Sequence, residues 1–572
     1  MIRFCWRLAE ILRGRLAACG GLSVRLAGHQ TRFRLPSLLV GTTLLLSLPL
    51  FADNYPRQPG IDVQHYVLRV ALNDDNDEIA GHASVTVRFV KDGLTEFALD
   101  LASPKDAGKG MTVTDVSSGD ISLRYTQAAD RLTIKLQLPS KAGDLRDYDV
   151  QYHGIPANGL HILKNKFGER CFFSVNWPVF AREWLPMIDH PSDKATSEFL
   201  ITAPSRYQVV ANGVLVESID VGDGRRMWHW KQSVPIASWL NNIGVAQFAV
   251  RHFATVKGIP LATWVFHQDR DAGIVSLETP MHQAIEFFSE SVGPYPYEKL
   301  GGVQAAGMGG GMEHASEVFY GQNSIGNRPA SSLVWHEVSH QWFGDSVTEK
   351  DWDDAWLSEG FATYFASLAQ EHFDGHDAFL ASMKNKRTQI LGMEKRTPGV
   401  AVVHDNLPEI SGGRAPVRIV YEKGGFTLHM LRGQIGNDKF WAGIREYYRR
   451  FRDSNASTAD LEKVMEETSG TDLNWFFQQW LYRAGSPTVE GIWSYNAENK
   501  KVELDISETQ PGDLFRLPID VAVTTQGSPA RIQKIELNAK EQKFEIASDK
   551  EPATVELDPN AWLLMDAKLT KK

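Results

Sequence analysis

The chain has 572 residues, enough for three or four domains with full-sized cores, and its 43% hydrophobic and 23% charged residues are ordinary for a globular protein. The formal charge is −10, and beyond residue 52 the body is acidic with no basic cluster, which argues against a nucleic-acid partner. Three cysteines in the whole chain exclude a disulfide framework.

Residues 1–52 differ from the rest: seven Arg, no Lys, one acid at Glu10, then an apolar run from Leu35 to Phe51. A basic segment, an apolar core and a small residue at Ala52 predict a signal peptide over 1–52 and a periplasmic or secreted protein. Retained, the same run approaches spanning length and would anchor the chain to a membrane. Removing those seven Arg and one Glu takes the charge from −10 to −16. Cys5 and Cys19 would leave with the segment, and Cys171 is expected as a buried apolar filler.

From 53 to 255 the pattern is alternation, as in Tyr66, Leu68, Val70 and Leu72, in Val85, Val87 and Phe89, and in Leu132, Ile134, Leu136 and Leu138. It predicts an antiparallel β domain. The period changes near Leu277: Met281, Ala284, Ile285 and Phe288 fall at i, i+3, i+4 and i+7 of a helix, opening a mainly helical region over 256–485. Ser457 and Asp460 read as a capping box within it. Over 486–572 alternation returns in Val502, Leu504 and Ile506, in Ile519, Val521 and Val523, and in Val555 and Leu557, predicting a β-sandwich. The fold class expected is α+β and multidomain.

The chemistry lies in Val334-Trp335-His336-Glu337-Val338-Ser339-His340 and the following Leu357-Ser358-Glu359-Gly360. On a helix His336 and His340 stand about 40° apart in azimuth and one turn apart in height, so both imidazoles reach one ion. Glu337 lies about 100° round, poorly placed to ligate but well placed to hold a water. Glu359 is a candidate third ligand. Two imidazoles and one carboxylate leave a fourth tetrahedral position open, the pattern of catalytic zinc, although cobalt or manganese suits the same donors. Asp345, just past the helix, reads as a surface acid, with orientation of a ligating imidazole as the alternative.

Upstream, Gly310-Gly311-Met312-Glu313-His314 places a carboxylate in a glycine-rich stretch that includes Gly301, Gly302, Gly307 and Gly309, where missing side chains let backbone approach a ligand. A carboxylate beside the metal can pair with a peptide's free α-ammonium. An internal peptide bond offers no such partner. His314 has three open readings: a donor to Glu313, a lining of the first side-chain pocket, or packing.

His336-Glu337-x-x-His340 with Glu359 and then Gly360-Phe361-Ala362 resembles the gluzincin aminopeptidases of the aminopeptidase N and leukotriene hydrolase type. So do Gly310 to His314, Tyr421-Glu422-Lys423-Gly424, and Ala181-Arg182-Glu183-Trp184-Leu185-Pro186 with Asp189-His190-Pro191 and Lys194-Ala195-Thr196. The resemblance implies an N-terminal β saddle domain, a thermolysin-like catalytic domain, a C-terminal β-sandwich and one zinc ion per chain. It also implies that Tyr421 donates to the oxyanion, that Glu337 is the general base, and that Gly310, Gly311, Met312 and Glu313 bind a peptide with a free N-terminus. Three departures stand out: His314 replaces an Asn, Val175 stands where a Gln commonly contacts the amine, and the chain ends after the sandwich with no large C-terminal helical domain. A zinc aminopeptidase is the function expected. A thermolysin-like endopeptidase and a non-catalytic peptide-binding protein are the alternatives.

Overall fold

The computed structural model describes Asp53 and residues 55–105, 108–405 and 417–572. The expected signal or anchor over 1–52, with Cys5 and Cys19, lies outside them. Among the described residues no helix is long and apolar enough to cross a membrane.

The first half of the described chain is built on an eight-stranded sheet. Its spatial order is Val214–Gly222, Arg225–Ala237, Lys194–Pro204, Ile61–Ala71, Ile79–Phe89, Leu145–Ile155, Gly110–Ser118 and Ile121–Ser122. Tyr66, Leu68, Val70, Val85, Val87 and Phe89 are all buried, as their alternation predicts. The sheet is mixed, not purely antiparallel: Ile61–Ala71 pairs parallel with Lys194–Pro204. A parallel pair needs a long crossover, and the intervening strands supply it. The run from Leu132 is also shorter than alternation suggested. Leu132 and Ile134 are buried on Arg131–Lys135, but Leu138 is 67% exposed in the bend before Pro139. A residue before proline is pushed out of helical geometry, and proline brings no ladder donor of its own.

The helical region carries the expected elements. Met281, Ala284, Ile285 and Phe288 are buried on α1 (Thr279–Ser291), and the capping box at Ser457 and Asp460 is formed. Then follow α2 (Ser331–Ser339), α3 (Trp356–Asp374), α4 (His376–Arg396) and α5 (Val417–Ile435). The helices share the region with a five-stranded sheet ordered Phe248–Val256, Ile259–Phe266, Leu300–Ala305, Glu317–Gly321 and Gly311–Met312. Leu300–Ala305 pairs parallel with both neighbours and is buried along its length, so it shows no alternation for a period-2 search to find. Gly301 and Gly302 serve packing here. A Cβ on the first would meet the Glu317 carboxylate and on the second Met281 Sδ at 2.7 Å.

Four strands (Glu541–Ala547, Lys501–Glu508, Thr488–Asn496, Asp566–Lys571) and three more (Arg531–Leu537, Leu517–Thr524, Thr554–Leu557) form two sheets at the C-terminal end. Val502, Leu504, Ile506, Ile519, Val521 and Val523 are their buried faces.

Two joints hold these parts in register. The Lys194 ammonium donates to Asp345 O at 2.9 Å, Ser346 O at 2.8 Å and Thr348 Oγ1 at 2.9 Å, tying the large sheet to the chain just past α2. Arg182 pairs with the buried Asp189 at 2.9 Å, and Ser238 Oγ donates to the same carboxylate at 2.9 Å. The second joint is at His429 of α5, stacked on Trp562 at 4.6 Å, with Nε2 donating to Ala561 O at 3.0 Å.

Burial holds the His429 imidazole down at about 3, with Arg432 and Arg387 adding to the effect. The unfolded chain protonates this ring near 6.5. Because the folded value is the lower one, the neutral ring's contribution is intact above pH 6.5 and is lost as pH falls toward 3, by about 1.4 kcal/mol per pH unit. His429→Gln, which keeps a donor without a titrating ring, should flatten the fall of the thermal midpoint between about pH 6 and pH 4. An unchanged slope would remove His429 from the acid response.

Candidate metal centre and peptide site

His336 sits in the last turn of α2 and His340 at its C-terminal cap, still in helical geometry. Their Nε2 atoms lie 3.3 Å apart. Glu359, in the first turn of α3, brings Oε2 to 3.5 Å from His336 Nε2 and 3.4 Å from His340 Nε2. Four ligands at about 2.0–2.1 Å in a tetrahedron are separated by about 3.3–3.4 Å along each edge, so three donors at these spacings are disposed around a zinc-sized centre. Glu359 Oε2 is moreover buried, and among the described residues its polar contacts are these long approaches to the two imidazoles. The donor set fits zinc.

The imidazole of His340 is oriented from behind by Phe343 O at 3.2 Å from Nδ1 and Ser358 Oγ at 3.1 Å. Asp345, the sequence candidate for this task, does not perform it. Its Oδ2 accepts from Gln341 Nε2 at 2.7 Å instead. Gln341 is the functional residue that sequence reasoning missed. Its Nε2 also donates to Glu313 O at 2.9 Å, and its Oε1 accepts from Ser316 N at 2.7 Å and Tyr295 Oη at 3.0 Å. One buried amide thus pins the Glu313 segment to the end of the metal helix. Apart from Asp345, its partners lie 25 to 46 residues upstream, and no local pattern marks them.

Glycines set the closest approaches. Gly310 has φ +72°, which turns the chain into the short strand Gly311–Met312. A Cβ on Gly311 would stand 2.3 Å from the carboxyl carbon of Glu337, so only glycine leaves room for that side chain. On the other flank a Cβ on Gly360 would come within 2.9 Å of the Gly424 backbone, and the close crossing of α3 and α5 that follows places Tyr421 over the metal ligands. Its Oη donates to Glu359 Oε1 at 2.6 Å, and its ring lies within 9° of parallel to that of His336.

Gly310, Gly311, Met312 and Glu313 line a cavity of about 1010 Å³ together with His336, Glu337, His340, Glu359 and Tyr421. Of the metal-ligating, catalytic and substrate-binding residues expected from sequence, only His314 is absent from its lining. That ring is fully buried, packs edge-on to Phe319 at 4.6 Å, and neither nitrogen is hydrogen-bonded among the described residues. The structure thus places His314 outside the cavity lining and against Phe319, and burial holds it neutral with a pKa near 3.

Electrostatically the cavity is crowded. Glu313, Glu337 and His340 bring ligand atoms within 4.8 Å of one another. Burial pushes the Glu313 carboxyl up to about 7, and Glu337 is pushed well above the carboxylate range by burial and by Glu313. Burial acts on Glu359 in the same sense, but hydrogen bonding with His336 and His340 overrides it and brings the group to about 2. Burial and the Glu359 charge raise the Tyr421 hydroxyl well above its ordinary value, so it stays a donor.

Two imidazoles and a helical carboxylate around one centre, with the carboxyl-bearing side chain of Glu337 set beside them, make a donor set of the kind that catalytic zinc takes. Residues 62–240 match the peptidase M1 N-terminal domain, and residues 277–480 match the peptidase family M1 domain. The chain belongs to peptidase family M1. It is 27% identical over 416 residues to the tricorn protease-interacting factor F2 of Thermoplasma acidophilum, covering 68% of this chain and 50% of that protein. It is 25% identical over 456 residues to aminopeptidase N of Streptomyces lividans, with 74% and 50% covered. The chain spans about half the length of these curated relatives. A solved M1 zinc metallopeptidase from Deinococcus radiodurans superposes with a TM-score of 0.64 at 25% identity, covering 74% of this chain and 93% of that one.

Gly311→Ala tests the seat of Glu337. The variant should keep its zinc content but lose about 10²-fold in peptidase kcat, since displacing a reacting group by an ångström costs about that much. Full turnover with zinc retained would show that Glu337 does not depend on that gap.

Proposed function

We propose that this protein is a zinc-dependent aminopeptidase, binding one zinc ion at His336, His340 and Glu359 and removing N-terminal residues from peptides. The observation that carries the reading is Glu313, 4% exposed beside the metal trio, with Oε1 lacking any hydrogen-bond partner among the described residues. A buried carboxylate left this way is costly, and a substrate's α-ammonium satisfies it by charge-assisted hydrogen bonds. A mid-chain peptide segment leaves it unsatisfied.

When bound, zinc supplies Lewis-acid polarisation of the scissile carbonyl and lowers the pKa of a water. Glu337 takes the proton from the attacking water and passes it to the departing amine. Its raised pKa suits a group that must hold that proton in between. Tyr421 transfers its hydrogen bond from Glu359 to the carbonyl oxygen as negative charge grows there. Glu313 fixes the amino end, and with it the bond presented for cleavage.

The same reading takes 1–52 as an export signal, so that the enzyme works in the periplasm or outside the cell, and takes the two C-terminal sheets as a β-sandwich.

Glu337→Gln should bind zinc and lose nearly all turnover, whereas Tyr421→Phe should lose about 10²–10³-fold in kcat with zinc content little changed. Wild-type-like rates in either would sink the corresponding role. Aminoacyl reporter amides should be cleaved before chelation and not after it. N-acetylation of the same substrates should abolish cleavage, and if acetylated peptides are cut as fast as free ones the protein is an endopeptidase.

A further inference from the structure

The cavity has two chemically different ends. On one side of the ligand trio lies Glu313, on which His340 and Glu359 act most strongly among the charges. α4 contributes Ser382 and Lys386, four residues apart and therefore on one helix face, and both line the cavity, Lys386 pairing with Glu422, the neighbour of the Tyr421 whose ring stacks on His336. The Lys386 charge acts on His336, the ligand that is not part of the Glu313, Glu337 and His340 group. Among the described residues lining the cavity Lys386 is the one Lys or Arg, facing five acids. Its Nζ lies 3.4 Å from Glu422 Oε2, a long contact that occupies at most one of three ammonium protons. Lys386 and Glu422 are both partly exposed to the cavity, so water or a ligand reaches the remaining protons.

Resting on the aminopeptidase reading, we propose that Lys386 is a specificity-determining residue that binds the C-terminal carboxylate of short peptides on the leaving-group side. With the ammonium at Glu313 and the scissile bond at the metal, a peptide extends past His336 toward α4. A chain short enough to end there delivers its carboxylate to Lys386. A longer chain passes an uncharged peptide bond over the same ammonium and gains nothing from it. Glu422 tempers the attraction, because it competes for Lys386 and repels an incoming carboxylate. The substrates favoured are thus short peptides with both ends free.

The test is a length series from dipeptide to hexapeptide, each as free acid and as C-terminal amide, with kcat/KM read as the acid-to-amide ratio within each enzyme. Wild type should favour the free acid by about tenfold at one short length, with the ratio falling to unity in longer peptides. Lys386→Met should bring that ratio to unity, Lys386→Arg should restore part of it, and Glu422→Gln should raise it. Zinc content of each variant establishes that the metal site is intact. Equal rates for acid and amide in wild type at every length overturn the clamp and leave the aminopeptidase reading standing. Failure of wild type to cleave any peptide with a free N-terminus overturns both.

Discussion

Three carboxyl groups and two imidazoles sealed into one cavity form a charge problem, and much of the surrounding architecture follows from it. Glu313, Glu337 and Glu359 are 4% or 5% exposed. Buried carboxylates that close cannot all ionise without a cation among them. The effect is visible in the groups themselves. Glu359, faced by both imidazoles, stays ionised, while burial drives Glu313 and Glu337 toward the protonated form, with the Glu359 charge adding to it at both and Glu313 at Glu337. A divalent ion at the trio and an ammonium at Glu313 are the two positive charges that such a cavity calls for.

Such a cluster is useful only if its members are held within tenths of an ångström, and the chain achieves this mainly with backbone. Gly311 opens the space for Glu337, and Gly360 against Gly424 lets α3 and α5 cross close enough for Tyr421 to reach Glu359. Gln341 and Lys194 then fix loops by hydrogen bonds to main-chain carbonyls, which have little freedom to move. Side chains carry the chemistry, but the tolerances come from missing side chains and buried donors.

The contrast between what sequence reveals and what it hides follows from locality. His336, Glu337 and His340 lie on a single turn and a half of helix, so their mutual geometry is a property of helical pitch. Glu359, Glu313 and Tyr421 come from elsewhere in the chain, yet each sits in a short motif that the family resemblance marks, and all three line the one cavity. The residues that escaped notice have partners distant in sequence and no pattern of their own. Gln341 looks like any polar residue after a histidine, and Asp345, which reads as a surface acid, is fully buried and accepts from Gln341. Leu300–Ala305 was hidden for another reason. A strand buried on both faces has no alternation, and its glycines suggested a loop near a ligand when they were making room for Glu317 and Met281.

The topology of the five-stranded sheet bears on why the site would act on chain ends. Gly311–Met312 is the edge strand, paired on one side with Glu317–Gly321. Its other side carries main-chain groups available to an extended peptide, the usual way a sheet edge holds a strand without reading its sequence. Backbone pairing alone would let a peptide slide by two residues and present any bond. Glu313 follows directly in sequence, so a peptide lying along that edge would meet a buried acid one residue past the strand. Val175, also on the cavity wall, offers the amine no hydrogen bond. On the aminopeptidase reading the register of cleavage would then rest on a single carboxylate, and the restriction to N-termini would be as strong as the cost of leaving Glu313 unpaired.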